Sequence, residues 1–263
     1  MALAREGLQS VPIAGRDART IAKAVFEPRH YFAASNMLRL YEHPFEMYRR
    51  YLTRTGEYPC TVRVSSPIGR IDLDLYTHDD VLTVNEIFCR VDYLADARDK
   101  VVVDFGSNIG ISAAYFLSRG VDTFTYLFEP LPANIERLQN NLRRFEGRYA
   151  LDEAAVGTEE NKVQFGWEPT GRYGGVGQPT GSYINVQCRR TRDVLEDVVG
   201  RHGQINILKI DIETMEEAVI GDIPAELARH IDKVYVEYKF AENPLAETHL
   251  LRQRGPIAQF YRR

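Results

Sequence analysis

Val101-Val102-Val103-Asp104-Phe105-Gly106-Ser107-Asn108-Ile109-Gly110 is the stretch whose reading decides the fold. Three β-branched apolar residues in a row, with no polar alternation, predict a strand buried on both faces of a parallel sheet. The strand is expected to end at Asp104. Gly106 and Gly110 then allow a tight turn and a close backbone approach to a ligand. A helix over 111–117 follows, and its unpaired N–H groups favour an anion or a polarised oxygen.

Downstream, the same strand–helix alternation continues. Strands are expected at 124–128, 149–156, 205–210 and 234–238, with a helix over 133–145. Alternation of this kind implies right-handed crossovers and a doubly wound α/β fold. The Gly-, Pro- and Thr-rich stretch 166–181 reads as one long loop; Arg172, Tyr173, Gly174 and Gly175 are candidates to fold over a ligand. One helix (244–252) and one strand (257–261) complete the C-terminal end.

Upstream, Thr61–Ser65 and Ile71–Leu75 alternate around Pro67 and Gly69, a hairpin signature. His78-Asp79-Asp80 reads as a helix start, with the helix over 81–89. Residues 1–58 read as a helical appendage, a lid or a dimer contact, with residues 59–263 as the main domain. Within the appendage Ser35 is expected to cap a short helix, and Pro44 to open another with Phe45, Tyr48 and Tyr51 on one packed side.

Chemistry concentrates where the strands end. A doubly wound sheet binds ligands beyond those ends, at its switch point. Asp104 would accept from an ammonium group, and the helix start would receive a carboxylate, as in the methionyl part of S-adenosylmethionine. A nicotinamide site is disfavoured: its fingerprint needs a middle glycine, and Asn108 stands there. Glu129, before Pro130, ends the second strand about two dozen residues after Asp104, where an acid meets ribose hydroxyls. Its carboxylate can accept from two vicinal hydroxyls. Glu153, Ala154 and Ala155 end the third strand, where small residues let a ring lie flat. Lys209, Asp211 and Glu213 would share one face if the fourth strand continued. The isolated His43, His78, His202, His230 and His249 read as surface or capping residues.

Composition narrows the classes. The 263 residues are 44% hydrophobic and 27% charged, an ordinary globular balance. A formal net charge of -4 disfavours a duplex nucleic-acid binder. Cys60, Cys89 and Cys188 are odd in number and widely spaced, which fits free thiols in a reducing cytoplasm. No apolar run approaches spanning length, so no membrane partner is expected.

Four ordered motifs resemble the FkbM-type family of class I S-adenosylmethionine-dependent methyltransferases. They are Val102 to Gly110; Phe128-Glu129-Pro130 with Asn134 and Asn141-Leu142; Leu208-Lys209-Ile210-Asp211-Ile212-Glu213 with Glu216; and Val236-Glu237. The resemblance covers roughly residues 60 to 240. It implies a Rossmann-like sheet and methyl transfer from S-adenosylmethionine, usually to a hydroxyl of a small-molecule acceptor such as a sugar, polyketide or other natural product. Donor binding then falls to Asp104, Gly106, Ser107, Asn108, Ile109, Gly110, Glu129, Pro130, Glu153, Ala154 and Ala155. Leu82 to Phe88 and Tyr93 are similar to family segments that flank the donor. Asp211, then Glu213, are the candidate proton acceptors. A divalent metal is left open, because no ligand spacing stands out. A methyltransferase acting on nitrogen or carbon, and a donor-binding scaffold without turnover, are the rival readings. Thr214 departs from the family's usual glycine, so a different local turn is expected there.

Overall fold

The computed structural model describes residues 28–168 and 174–263. Residues 1–27 of the expected appendage, and Arg172 and Tyr173 of the expected covering loop, lie outside the described residues.

Two helices, α1 (Pro28–Leu40) and α2 (Pro44–Thr53), lead into a hairpin of β1 (Cys60–Ser66) and β2 (Gly69–Leu75). α3 (His78–Val84) passes into a π-helical turn, Asn85–Cys89. The main sheet takes β3 (Val101–Phe105), β4 (Phe124–Phe128), β5 (Tyr149–Asp152), β10 (Ile205–Ile210), β11 (Ile231–Val236), β12 (His249–Arg254) and β13 (Ile257–Arg262). Their spatial order is β12-β13-β11-β10-β3-β4-β5. The five central strands run parallel, and β13 is antiparallel to both its neighbours. The chain winds outward from β3 to β5, then restarts at β10 on the other side of β3. The switch point therefore lies between β3 and β10, with a crevice at their carboxyl ends. α4 (Ile111–Leu117), α5 (Pro132–Leu142) and α6 (Thr191–His202) are crossover helices, and α7 (Glu216–Gly221) and α8 (Ala225–Ala228) are short.

Alternate side chains of the strands enter opposite cores. Val102, Ile207 and Tyr235 pack with α4, α5 and the N-terminal elements; Val103, Leu208 and Val234 pack with α6 and α7. The sheet is covered on both faces, so β3 and β10 are buried along their whole length and are apolar except at Asp104, Asn206 and Lys209.

Several expectations are corrected. The run 149–156 is not one strand. It divides at the exposed Glu153, and β6 (Ala154–Gly157) joins a second sheet of order β6-β9-β7-β8. Asp152-Glu153 stands at the break without a Gly or Pro to mark it, so the local pattern signals the division only weakly. The supposed loop 166–181 instead supplies the end of β7 (Asn161–Trp167) and β8 (Gly174–Val176), with β9 (Ser182–Arg190) just beyond it. Its glycines permit close strand contact: a Cβ on Gly166 would stand 2.1 Å from the Gln178 carbonyl oxygen. Residues 244–252 form no helix among the described residues; β12 pairs with β13 across Gly255-Pro256. Ser35 lies inside α1 rather than capping it. On α2 Tyr48 and Tyr51 pack half-buried against the core as expected, with Met47 and Arg50 buried, but Phe45 is 80% exposed. The cap of α3 is Thr77, one residue before the expected start, in a capping box with Asp80. His249 is no surface residue: it is buried between the Thr248 hydroxyl and the Ile231 carbonyl.

Candidate active site

The loop after β3 is held from both sides. Gly106 and Ser107 donate their N–H groups to the Phe128 carbonyl at the end of β4. Gly106 has φ +80°, and a Cβ there would fall 1.8 Å from the Asp211 carbonyl oxygen. Only glycine lets β3 and β10 close at this point. Asn108 also takes positive φ, +48°, which asparagine tolerates better than most residues. Its side-chain oxygen accepts from the Ile109 N–H.

Glu129 stands at the end of β4, only 5% exposed. Its Oε2 accepts from the Asn108 N–H at 2.9 Å, and its Oε1 from the Leu131 N–H at 3.0 Å and Asn134 Nδ2 at 3.3 Å. Burial pushes its carboxyl up to about 7, against the pull of those donors. The carboxylate thus ties the β3 loop to the start of α5 and lines a recess with Pro130, Leu131, Ala154, Ala155 and Phe165. Small and apolar residues form one wall of this recess, and the carboxylates of Glu129, Asp211 and Glu213 border it. It has the character a nucleoside requires: a slot for a ring and an acceptor for ribose hydroxyls.

A second, larger cavity adjoins the recess, and both are lined by Gly106, Asn108, Asp211 and Glu213. Its other walls come from the π-helical turn (Glu86, Ile87), from Tyr93 and from Glu237 just after β11. Ser107, Ile109, Ile111 and Ser112 bring the amino-terminal end of α4 into it.

Asp104 does not face either cavity. It is fully buried, and Lys209 Nζ donates to its Oδ1 at 3.0 Å while Ser112 Oγ donates to its Oδ2 at 2.6 Å. Lys209 also donates to the Gly106 carbonyl at 3.1 Å and lies 3.3 Å from Asp211 Oδ2. Burial pulls the Lys209 ammonium down, but the charges of Asp104 and Asp211 outweigh it and hold the ammonium above its ordinary range. Asp104 therefore braces Lys209, which in turn braces the Gly106 turn and Asp211.

β10 stops at Ile210, so Lys209, Asp211 and Glu213 are not consecutive members of one strand face. Glu213 and Thr214 instead take positive φ, +53° and +72°. The turn expected of glycine is kept with threonine in it. Gly110 starts α4 and packs under Leu138 rather than lining a cavity. Glu153 is exposed and borders a separate groove with Arg189 and Asp193. Ala154 and Ala155 do line the nucleoside-like recess. Among the described residues no group of three or more His, Cys, Asp or Glu side chains is placed to hold a metal ion.

Glu86, Phe165 and Val176 line the cavities without having been singled out as site residues. Glu86 lies in the family-like stretch Leu82 to Phe88, which was the available signal. Phe165 and Val176 arrive on β7 and β8 of the second sheet, in and beside the glycine-rich stretch that carries no strand signature.

Known proteins add a family to this geometry. The chain is 25% identical over 154 residues to the AMB antimetabolite synthetase AmbE of Pseudomonas aeruginosa; the match covers 59% of this chain and 7% of that much longer protein. Among solved structures, a methyltransferase from Geobacter sulfurreducens aligns over 62% of this chain and 71% of its own, with 12% identity and a TM-score of 0.36. An rRNA methylase from Streptococcus thermophilus aligns over 64% and 88%, with 9% identity and a TM-score of 0.35. The methyltransferase FkbM domain matches residues 104–255, more than half of the chain, which therefore belongs to the FkbM methyltransferase family.

Proposed function

We propose that this chain transfers a methyl group from S-adenosylmethionine to a hydroxyl oxygen of a small-molecule acceptor. The observation that carries the reading is the junction of the two cavities at Gly106, Asn108, Asp211 and Glu213. One cavity suits a nucleoside; the other is bordered by carboxylates that suit a hydroxyl donor. A ligand held by Glu129 at one end and by the N-terminal end of α4 at the other passes through that junction.

When bound, S-adenosylmethionine supplies a methyl group already activated on a sulfonium. The protein's task is then to orient the reactants and to take a proton. Glu129 accepts from the ribose hydroxyls, Ala154, Ala155 and Phe165 form the ring slot, and Asp211 presents its carboxylate at the junction. Tyr93, buried behind the cavity, closes it toward the sheet. Acceptors of the sugar or polyketide kind fit a cavity with this many hydrogen-bond acceptors.

The direct test is calorimetry with S-adenosylhomocysteine. Wild-type protein is expected to bind it, and Glu129→Ala to lose roughly 2–3 kcal/mol of affinity, because charge-assisted hydrogen bonds to ribose vanish. Circular dichroism of the variant checks that it is folded, since Asn108 and Leu131 lose their acceptor as well. Absence of binding by folded wild type would overturn the donor reading, and binding without turnover across acceptors would support the scaffold reading. Equal binding by the variant would move the ribose away from Glu129.

A further inference from the structure

Glu237 follows β11, directly across the switch-point crevice from the end of β10. Its N–H donates to the Ile210 carbonyl at 3.1 Å, which draws the first residue after β11 alongside the first residue after β10, Asp211. Both line the larger cavity, with their backbones held side by side by that bond. Two carboxylates brought this close repel, and a proton shared between them relieves the repulsion.

The nearby cations are already engaged. Lys209 has three N–H groups, and they meet Asp104, the Gly106 carbonyl and Asp211. Arg90 is paired with Asp92 and, at 3.2 Å, with Glu86. The remaining titratable groups around the cavity, Asp80, Tyr93 and Glu213, add no positive charge. Glu237 keeps access to solvent at the rim. The charge of Asp211 first, and burial second, push its carboxyl up to about 8, with Glu86 adding to the effect and Lys209 opposing it. Asp211 also stands at the junction through which the donor passes.

Resting on the methyl-transfer reading above, we propose that Asp211 and Glu237 form the proton-accepting carboxylate pair of the reaction, and that a sulfonium docking beside Asp211 expels the proton held between them. The pair then suits a hydroxyl acceptor. The acceptor oxygen forms the bond to the methyl carbon, and the carbon–sulfur bond breaks with its electron pair passing to sulfur. The hydroxyl proton passes to the vacated carboxylate pair. The neutral thioether left behind exerts no such pull, so the pair keeps the proton received from the acceptor and is back in its resting state when the products leave. The Glu237 carboxylate is thus the second acid of the pair, supplied by the segment after β11 rather than by Glu213 in the turn after β10.

The test compares S-adenosylmethionine with S-adenosylhomocysteine by calorimetry at pH 7.5, in buffers of different ionisation enthalpy, which reads the protons released per ligand bound. The ribose contact at Glu129 is common to both ligands and cancels in the difference. Wild type is expected to release about half a proton more with the sulfonium ligand. The difference should vanish in Glu237→Gln and in Asp211→Asn, with both ligands still bound. Equal release by wild type, or a difference that survives in both variants, overturns the inference. A folded wild type that binds neither ligand overturns the donor reading itself, and this inference with it. In turnover with any accepted hydroxyl compound, kcat/KM is expected to rise with pH toward 8 in wild type and to lose that limb in Glu237→Gln. A limb unchanged in Glu237→Gln removes Glu237 from the proton transfer.

Discussion

Glu129 and Lys209 are charged residues that the fold buries for opposite reasons. Glu129 lies in a recess that raises its carboxyl to about 7 through burial, so near neutrality it is only partly ionised before a ligand arrives. Ribose hydroxyls donate to the ionised form and favour it. Binding therefore releases a proton, and affinity for S-adenosylhomocysteine should rise as pH goes from about 6 through 7 and level off above that. Titrations at several pH values read this directly; affinity that falls over the same interval would contradict it. Lys209 serves the framework. Replacing it by methionine strands Asp104, which is fully buried, and should cost about 3–5 kcal/mol in urea unfolding. Adding Asp104→Asn to Lys209→Met should restore part of the loss, because the uncompensated charge is gone. If the double variant is as unstable as the sum of the singles, the pair is not the reason for the cost.

At the scale of the element, the turn from β10 into α7 is the place where a local rule is broken. Thr214 adopts φ +72°, a region that a β-branched residue enters at a cost. The turn persists because its ends are held. Asp211 donates its N–H to the Phe105 carbonyl, Val219 donates to Met215 at the start of α7, and the Glu213 carbonyl lies against Gly175 of β8. Thr214→Gly should therefore raise stability by about 1 kcal/mol, seen as a higher Tm, and should leave S-adenosylhomocysteine affinity within about twofold. A lower Tm would mean that the Thr214 hydroxyl contact to the Val176 carbonyl is worth more than the strain. The π-helical turn Asn85–Cys89 is the other irregular element at the site. Its wider winding has the Arg90 N–H donate to the Asn85 carbonyl, and Glu86 and Ile87 border the cavity from it. Neither irregularity could be read as such from the chain: a π turn has the residue pattern of an ordinary helix, and Thr214 argues against the turn it occupies.

Across the whole molecule, the N-terminal helices do not stand apart from the sheet. Ala33, Met37, Tyr41 and Met47 share one apolar core with the hairpin residues Val64 and Leu73 and with Val102, Ile207 and Tyr235 of the main sheet. Asn141 of α5 extends the tie: it accepts from the Asp74 N–H and donates to the Asp74 and Ile109 carbonyls, joining the hairpin to the β3 loop. Met37, 2% exposed, tests this unity. Met37→Ala should cost about 2–5 kcal/mol and leave urea unfolding a single transition followed alike by fluorescence and circular dichroism. Two separate transitions would show that the helices fold as their own unit. The described residues also include no helix long and apolar enough to cross a membrane.

The sequence by itself determined the parallel core and the donor-side motifs, because these depend on short-range physics. Val101 to Val103 read as a doubly buried strand, Gly106 and Gly110 mark the tight turn after it, and Glu129 ends the next strand. Periodicity and strand-end chemistry carry such information within ten or twenty residues. The tertiary structure decided what depends on distant partners. It turned Asp104 inward onto Lys209, broke 149–156 between two sheets, made strands of a glycine-rich stretch, and paired β12 with β13 where helical spacing suggested otherwise. It also set Glu237 beside Asp211. The two are 26 positions apart in the chain, on neighbouring parallel strands, and only the register between those strands brings their carboxyl groups together.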